Sequence, residues 1–172
     1  MFVKSLIFVC SVAALFGAGA EGLFFGKFGM PLHASCKIAW TFGENCGVIH
    51  GKILAQIDAW KTADNCANGG EKCLYILKIA SDSEIKASHL TPVAKYSDSL
   101  SFKFQASEDG KSCSVEAYSS SDVWYAVLDK GTNYCNLRNL IDGAGLDKTN
   151  GFKEETSNSK CTQFTSANCE KY

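Results

Sequence analysis

Residues 99–105 (SLSFKFQ) and 112–118 (SCSVEAY) each alternate polar and apolar side chains, with six residues between them. A period of two is the signature of a strand with one buried and one wet face. It sets Leu100, Phe102 and Phe104 on one side of the first strand and Cys113, Val115 and Ala117 on one side of the second. Between them, Glu108-Asp109-Gly110-Lys111 has the composition of a hairpin turn. A hairpin with one apolar face needs that face covered, so this stretch predicts an antiparallel sheet backed by helices.

The chain on either side extends the pattern. Residues 84–90 (EIKASHL) alternate more loosely and stop at Thr91-Pro92, while 73–80 (CLYILKIA) are almost continuously apolar, as expected of a central strand. Further upstream, Cys36, Ile38, Trp40 and Phe42 share one face of a strand over 36–42. A helix follows, with Asn45 as its N-cap and a stripe of Ile49, Ile53, Ile57 and Trp60 at spacings of four, four and three, Leu54 beside it. Gly47 and Gly51 each weaken that helix by up to about 1 kcal/mol, so packing or a disulfide at Cys46 is expected to support it. Asp64 to Gly70 reads as the turn that ends it.

Downstream, Ser119-Ser120-Ser121-Asp122 reads as a polar turn before the apolar run 123–128. A loop over 129–133 then feeds a second helix from about Tyr134 to Asp142, with Leu137, Leu140 and Ile141 on its buried face and Gly143 as C-cap. The predicted fold class is α+β: a single antiparallel sheet of about five strands with two helices packed on one face, in the order strand–helix–four strands–helix, disulfide-stapled. One core domain is expected over 36–146, preceded by a Gly/Phe-rich arm over 21–35 and followed by a polar tail over 147–172 anchored by Cys161 and Cys169.

The first 20 residues have the layout of a secretory signal. Lys4 is their only charge, Leu6 to Phe16 form an apolar run interrupted by Ser11 alone, and Ala18-Gly19-Ala20 is a small-residue cleavage site. A spanning helix needs about 20 apolar residues, more than this run supplies. With Glu21 as the first mature residue the net charge falls to about −2. Of the 17 basic residues only Arg138 is an arginine, so forked recognition of phosphates is nearly absent and no nucleic-acid partner is expected. The arm 22–29 (GLFFGKFG) has two readings: a membrane-active or partner-binding segment, or, the favoured one, a tail or edge strand that covers apolar surface of its own domain.

Cys10 leaves with the signal. Cys36, Cys46, Cys66, Cys73, Cys113, Cys135, Cys161 and Cys169 remain, an even number in an oxidising route, which predicts four disulfides. Eight cysteines allow 105 pairings, and spacing does not choose among them. The closest neighbours are Cys66 with Cys73 and Cys161 with Cys169, spacings that suit small disulfide-closed loops better than a zinc knuckle, so no metal is expected. Asn133-Tyr134-Cys135 is a rare form of glycosylation acceptor; no N-x-S/T occurs.

Asp129-Lys130-Gly131-Thr132-Asn133 is a D-x-G-x-N loop. Gly131 is free to take positive φ, and Asp129 and Asn133 can accept backbone N–H bonds and cap the next helix. The calcium alternative would want a bidentate Glu at the twelfth position, which is Leu140. Together with Asp98 before Leu100-Ser101-Phe102, and with Ser119 to Ser121, this loop resembles the motif of a widespread family of small domains of unknown function. The resemblance spans about residues 84–141, a third of the chain, and departs from that family in the eight cysteines, the lack of arginine and the added tail. The closing Asn168-Cys169-Glu170-Lys171-Tyr172 is similar to the ends of uncharacterised secreted cysteine-rich proteins of aquatic animals. Neither resemblance implies an activity.

No catalytic constellation stands out. His33, His50 and His89 fall in three different segments, with no H-E-x-x-H, no G-x-S-x-G and no phosphate-binding glycine loop. A carboxylate pair such as Glu84 and Asp98 would have to converge in space. The expectation is a secreted, non-enzymatic protein without cofactor, a structural or interaction component of an extracellular matrix or secretion with an extracellular partner. The alternative is a carrier of a small hydrophobic ligand, held in an enclosed cavity lined by Trp40, Tyr75, Phe102, Phe104 and Trp124. A toxin or defence role, leaning on the arm, ranks third.

Overall fold

A computed structural model of the chain describes residues 33–66, 69–123 and 125–172. The signal segment, the arm as far as residue 32, and Trp124 lie outside the described residues. The elements are β1 (Ser35–Phe42), α1 (Cys46–Ala59), β2 (Tyr75–Ser81), β3 (Glu84–Leu90), β4 (Ser97–Ala106), β5 (Cys113–Ser121), α2 (Thr132–Gly143) and β6 (Lys153–Glu155). The strands form one antiparallel sheet in the order β2-β3-β4-β5-β1-β6. The α+β expectation holds, with one strand more than foreseen.

Alternation decides which face is covered. Ile38, Trp40 and Phe42 of β1, Leu100 and Phe102 of β4, and Val115 and Ala117 of β5 point inward, against Ile49, Ile53 and Ile57 of α1 and Leu137, Leu140 and Ile141 of α2. Trp40 lies parallel to Phe102 at 6.5 Å between ring centroids. The opposite face carries Lys37, Lys103, Glu116 and Tyr118. Asn45 caps α1 through Oδ1, which accepts the Gly47 N–H at 2.8 Å.

Three readings of the sequence are corrected. β2 is an edge strand, not a central one. Its apolar residues face water more than core: Ile76 and Leu77 are well exposed and Ile79 is 49% exposed, next to a bulge between Leu77 and Ile79. Apolarity reports composition, whereas position depends on which strand each edge recruits: β1 pairs with β5 on the far side of the sheet, so β4 and β5 are central and β2 is left at the edge. The second correction concerns Ser119 to Ser121, which continue β5: Ser119 pairs with Leu100 and Ser121 with Asp98. The third is Gly143, which is the last residue of α2, with Ala144 at the cap. A Cβ at Gly143 would stand 2.6 Å from the Trp60 ring, so glycine serves the close approach of α1 and α2.

The four disulfides are Cys36–Cys161, Cys46–Cys113, Cys66–Cys73 and Cys135–Cys169. Cys66 and Cys73 close the small loop expected of them. Cys161 and Cys169 do not pair with each other; they bind the tail to β1 and to α2. The tail also supplies β6, which pairs with Ala39–Thr41 on the outer side of β1. Glu154 of β6 reaches across the end of the core, accepting from Trp40 Nε1 at 2.8 Å, Tyr134 Oη at 2.9 Å and Arg138 Nη1 at 2.9 Å. The single arginine is thus an internal clamp, also paired with Asp142 and laid over Phe152. Among the described residues no helix is long and apolar enough to cross a membrane.

Candidate functional site

The D-x-G-x-N loop and Asp98 lie at one end of the sheet. Gly131 has φ +79°, and a Cβ there would stand 2.5 Å from the Cβ of Ala167, so both conformation and space require glycine. Asp129 does the capping: Oδ1 accepts the Gly131 N–H and Oδ2 the Asn133 N–H, both at 3.0 Å. Asn133, expected as a second cap, instead accepts from Ser119 Oγ at 2.5 Å and donates to the Ala34 carbonyl at 3.2 Å. Gln163 Oε1 receives the N–H groups of Asp129 and Lys130. The loop therefore joins β5, the start of β1 and the tail at one point. Both Asp129 oxygens are occupied by protein donors, and among the described residues no group of three or more His, Cys, Asp and Glu side chains could hold a metal ion.

Helix α2 buries three asparagines, Asn133, Asn136 and Asn139, on its sheet-facing side. Their spacing of three is the one sequence signal that marks them, since i, i+3 neighbours share a helix face. Asn136 Nδ2 donates to Asp98 Oδ2 at 2.7 Å, and Ser121 Oγ donates to Asp98 Oδ1 at 2.8 Å. Asn139 Nδ2 donates to the Tyr172 carbonyl at 2.7 Å. From the sheet, Tyr75 Oη donates to the Asn136 carbonyl at 3.0 Å. His89, opposite Asp98 in the ladder, is fully buried against the Tyr75 ring, with Nε2 2.8 Å from the Glu71 carbonyl.

Burial dominates the electrostatics of this seam. It pushes the His89 imidazole down to about 4 and raises the Asp98 carboxyl, although the Ser121 and Asn136 bonds pull Asp98 the other way. Glu71 is raised by burial and then by the charge of Asp98. Glu71 Oε2, His89 Nδ1 and Asn139 Oδ1 are buried without a protein partner.

Above the seam the β3–β4 connection and the β5–α2 connection form the walls of a cleft of about 300 Å³. Its rim is apolar and open to solvent: Val93 is 90% exposed, Leu128 72%, and Tyr96 half exposed. Its floor is acidic, with Glu71, Asp98 and Asp129, against Lys130 alone. A second hollow shares Tyr96, Ala126 and Leu128 with it and continues along the 123–128 segment.

Of the aromatic residues named as cavity lining, none borders this cleft among the described residues; Trp40 and Phe104 border an open hollow of about 500 Å³ over β1, β4 and β5, and Trp124 lies outside the described residues. Trp40, Tyr75 and Phe102 are buried within the core, and Phe104 packs at its margin against His50, with 5.0 Å between ring centroids. Tyr75 also borders a shallow groove of about 290 Å³ between α1 and β2, open to water beside Leu54 and Leu77. Glu84 and Asp98 sit at opposite ends of the β3–β4 ladder, facing Lys103 and His89 respectively, so that carboxylate pair does not converge. His50 lies on α1, bonded to the Ser81 carbonyl, well apart in sequence from His89 on β3. No protein-family model matches the chain, and a search of curated proteins found no significant match.

Proposed function

We propose that the protein is a secreted, non-enzymatic structural or interaction component of an extracellular matrix or secretion. The observation that carries this reading is the contrast between a filled interior and an apolar exterior. Trp40, Phe42, Tyr75 and Phe102 are buried in the core, whereas Val93, Tyr96, Val127 and Leu128 present apolar surface around an open cleft. An exposed apolar patch on a rigid scaffold is the mark of a protein that contacts other macromolecules. Four disulfides suit a chain that works in an oxidising compartment without a protective partner. The seam beneath the cleft supports a scaffold role too, since both oxygens of Asp98 are bonded to side chains of its own fold.

Native mass spectrometry of the protein from its own secretion tests the reading. A gain of about eight mass units on reduction, two per disulfide, with no retained small molecule and with co-purifying macromolecular assemblies, is the expected result. A tightly held apolar small molecule would replace this reading by that of a carrier.

A further inference from the structure

The apolar cleft lies beside the point where the N-terminal arm joins the domain. The Ala34 N–H donates to the Ala126 carbonyl, Ala126 lines the cleft, and the Ser121 N–H donates to the Ala34 carbonyl at 3.1 Å. The described chain therefore begins, at His33, beside one wall of the cleft. The residues before it include Leu23, Phe24, Phe25, Phe28, Met30 and Leu32, with Lys27 as the only charge between Gly22 and Leu32. Eleven residues span up to roughly 36 Å when extended, ample for a cleft that starts at the anchor point.

We propose that Gly22–Leu32 docks in cis into the cleft between the 91–96 and 122–131 connections, its phenylalanines against Val93, Tyr96 and Leu128 and its lysine toward the acidic floor. Three features on the two sides match. The rim leaves Val93, Tyr96 and Leu128 exposed, and the arm sets three phenylalanines within the five residues 24–28. The charged lining is acidic three to one, and the arm brings a single cation. Tethering at Ala34 makes the encounter intramolecular, which raises the effective concentration of the arm at the cleft to the millimolar range. The fold favours this occupant over a separate ligand because any competitor must displace a segment that never diffuses away. The docked arm shares its surface with the matrix reading: it covers Val93, Tyr96 and Leu128, so a macromolecular partner would meet that patch only on a chain whose arm is displaced or removed.

The test is limited chymotrypsin digestion of the disulfide-intact chain beginning at Glu21, followed by mass spectrometry of cleavage after Phe24, Phe25 and Phe28. The parent is compared with a Val93→Asp, Leu128→Asp double variant, whose changes fall on exposed side chains and leave the cooperative fold of the domain intact. The docked arm is expected to be cut at least about ten times more slowly in the parent, a protection that corresponds to about 1.4 kcal/mol. Equal rates in the two proteins overturn the proposal. So does a dimer in the parent that dissociates in the variant, since the arm would then serve a second copy. Equal pelleting of parent and variant with phosphatidylcholine/phosphatidylserine vesicles also overturns it, because the arm would then be a membrane segment.

Discussion

The two ends of the sheet are built on different principles. At the β1–β6 end a strand from the start of the chain is enclosed by elements from its far end. β1 lies between β5 and β6, Cys36 is bridged to Cys161 over 125 residues, and Glu154 accepts bonds from three side chains of β1 and α2. At the β2–β3 end the strands are sequence neighbours joined by a tight turn, the outer strand is exposed, and the one disulfide closes a loop of 7 residues. Closing a loop costs entropy that rises with its length, so long-range closures need covalent help where local hairpins do not. Covalent closure follows that rule: the longest bridge, Cys36–Cys161, ties the tail to β1, and Cys135–Cys169 ties it to α2.

Removing one disulfide from each end of the sheet should produce the largest difference between them. In the chain-entropy picture the Cys36–Cys161 bridge contributes about 5 kcal/mol and the Cys66–Cys73 bridge about 2 kcal/mol. The double variant Cys36→Ala, Cys161→Ala should therefore lose most of the stability of a domain this size, with cooperative loss of the whole fold in urea. The variant Cys66→Ala, Cys73→Ala should stay folded and show faster hydrogen exchange confined to the segment between α1 and β2. Equal losses in the two variants would mean that the ends of the sheet do not differ in this way.

Much of this division was legible in the sequence, and what was not has physical reasons. The alternation over 99–118, the Asn45 cap and the isoleucine stripe of α1 are local signals, and each element stands where they put it. β6 (KEE) has no alternation to read; it is a strand because Ala39–Thr41 offer a free edge and because Glu154 has three donors waiting. Ser119 and Ser121 look like a turn until Asn133 and Asp98 arrive from 14 and 23 residues away to satisfy their hydroxyls inside the sheet. The edge position of β2 follows from where β1 inserts, which no window of local sequence contains. On α2, Leu137, Leu140 and Ile141 announced the core, whereas the partners that bury Asn136 and Asn139, Asp98 and Tyr172, lie 38 and 33 residues away.

Acid should distinguish the two ends next. His89 of β3 is buried neutral, with its folded value lowered to about 4 against 6.5 unfolded. A lowered imidazole binds fewer protons folded than unfolded between those values, so its contribution is complete above about pH 6.5 and is lost as pH falls toward 4. At pH 5 the loss is about 2 kcal/mol. Asp98 and Glu71, both raised, act with the opposite sign, favouring the fold as they take up protons. Replacing His89→Gln keeps a donor for the Glu71 carbonyl and removes the imidazole term. Relative to the parent, the variant should therefore gain about 2 kcal/mol in urea unfolding on going from pH 7 to pH 5. Hydrogen exchange on the parent at pH 5 should show β2 and β3 opening before β1 and β5. Parallel pH profiles for the two proteins would mean that His89 is not held neutral.

The smallest effect on stability should have a visible effect on association. β2 exposes a free backbone edge flanked by apolar side chains, the arrangement that invites another strand, and two devices oppose this: the bulge and Lys78 within it. β6 presents the other edge, but over three residues only, too few to template a partner. Lys78→Ile should change unfolding stability by less than about 0.5 kcal/mol, since the side chain is exposed. It should nevertheless shift the protein toward larger species in sedimentation velocity as concentration rises. Lys153→Ile on β6, an equally exposed change on the opposite edge, should leave sedimentation as in the parent. If both substitutions promote association, apolar surface alone is responsible; if only Lys78→Ile does, the edge of β2 is the sensitive one, and its lysine is there to keep neighbouring strands away.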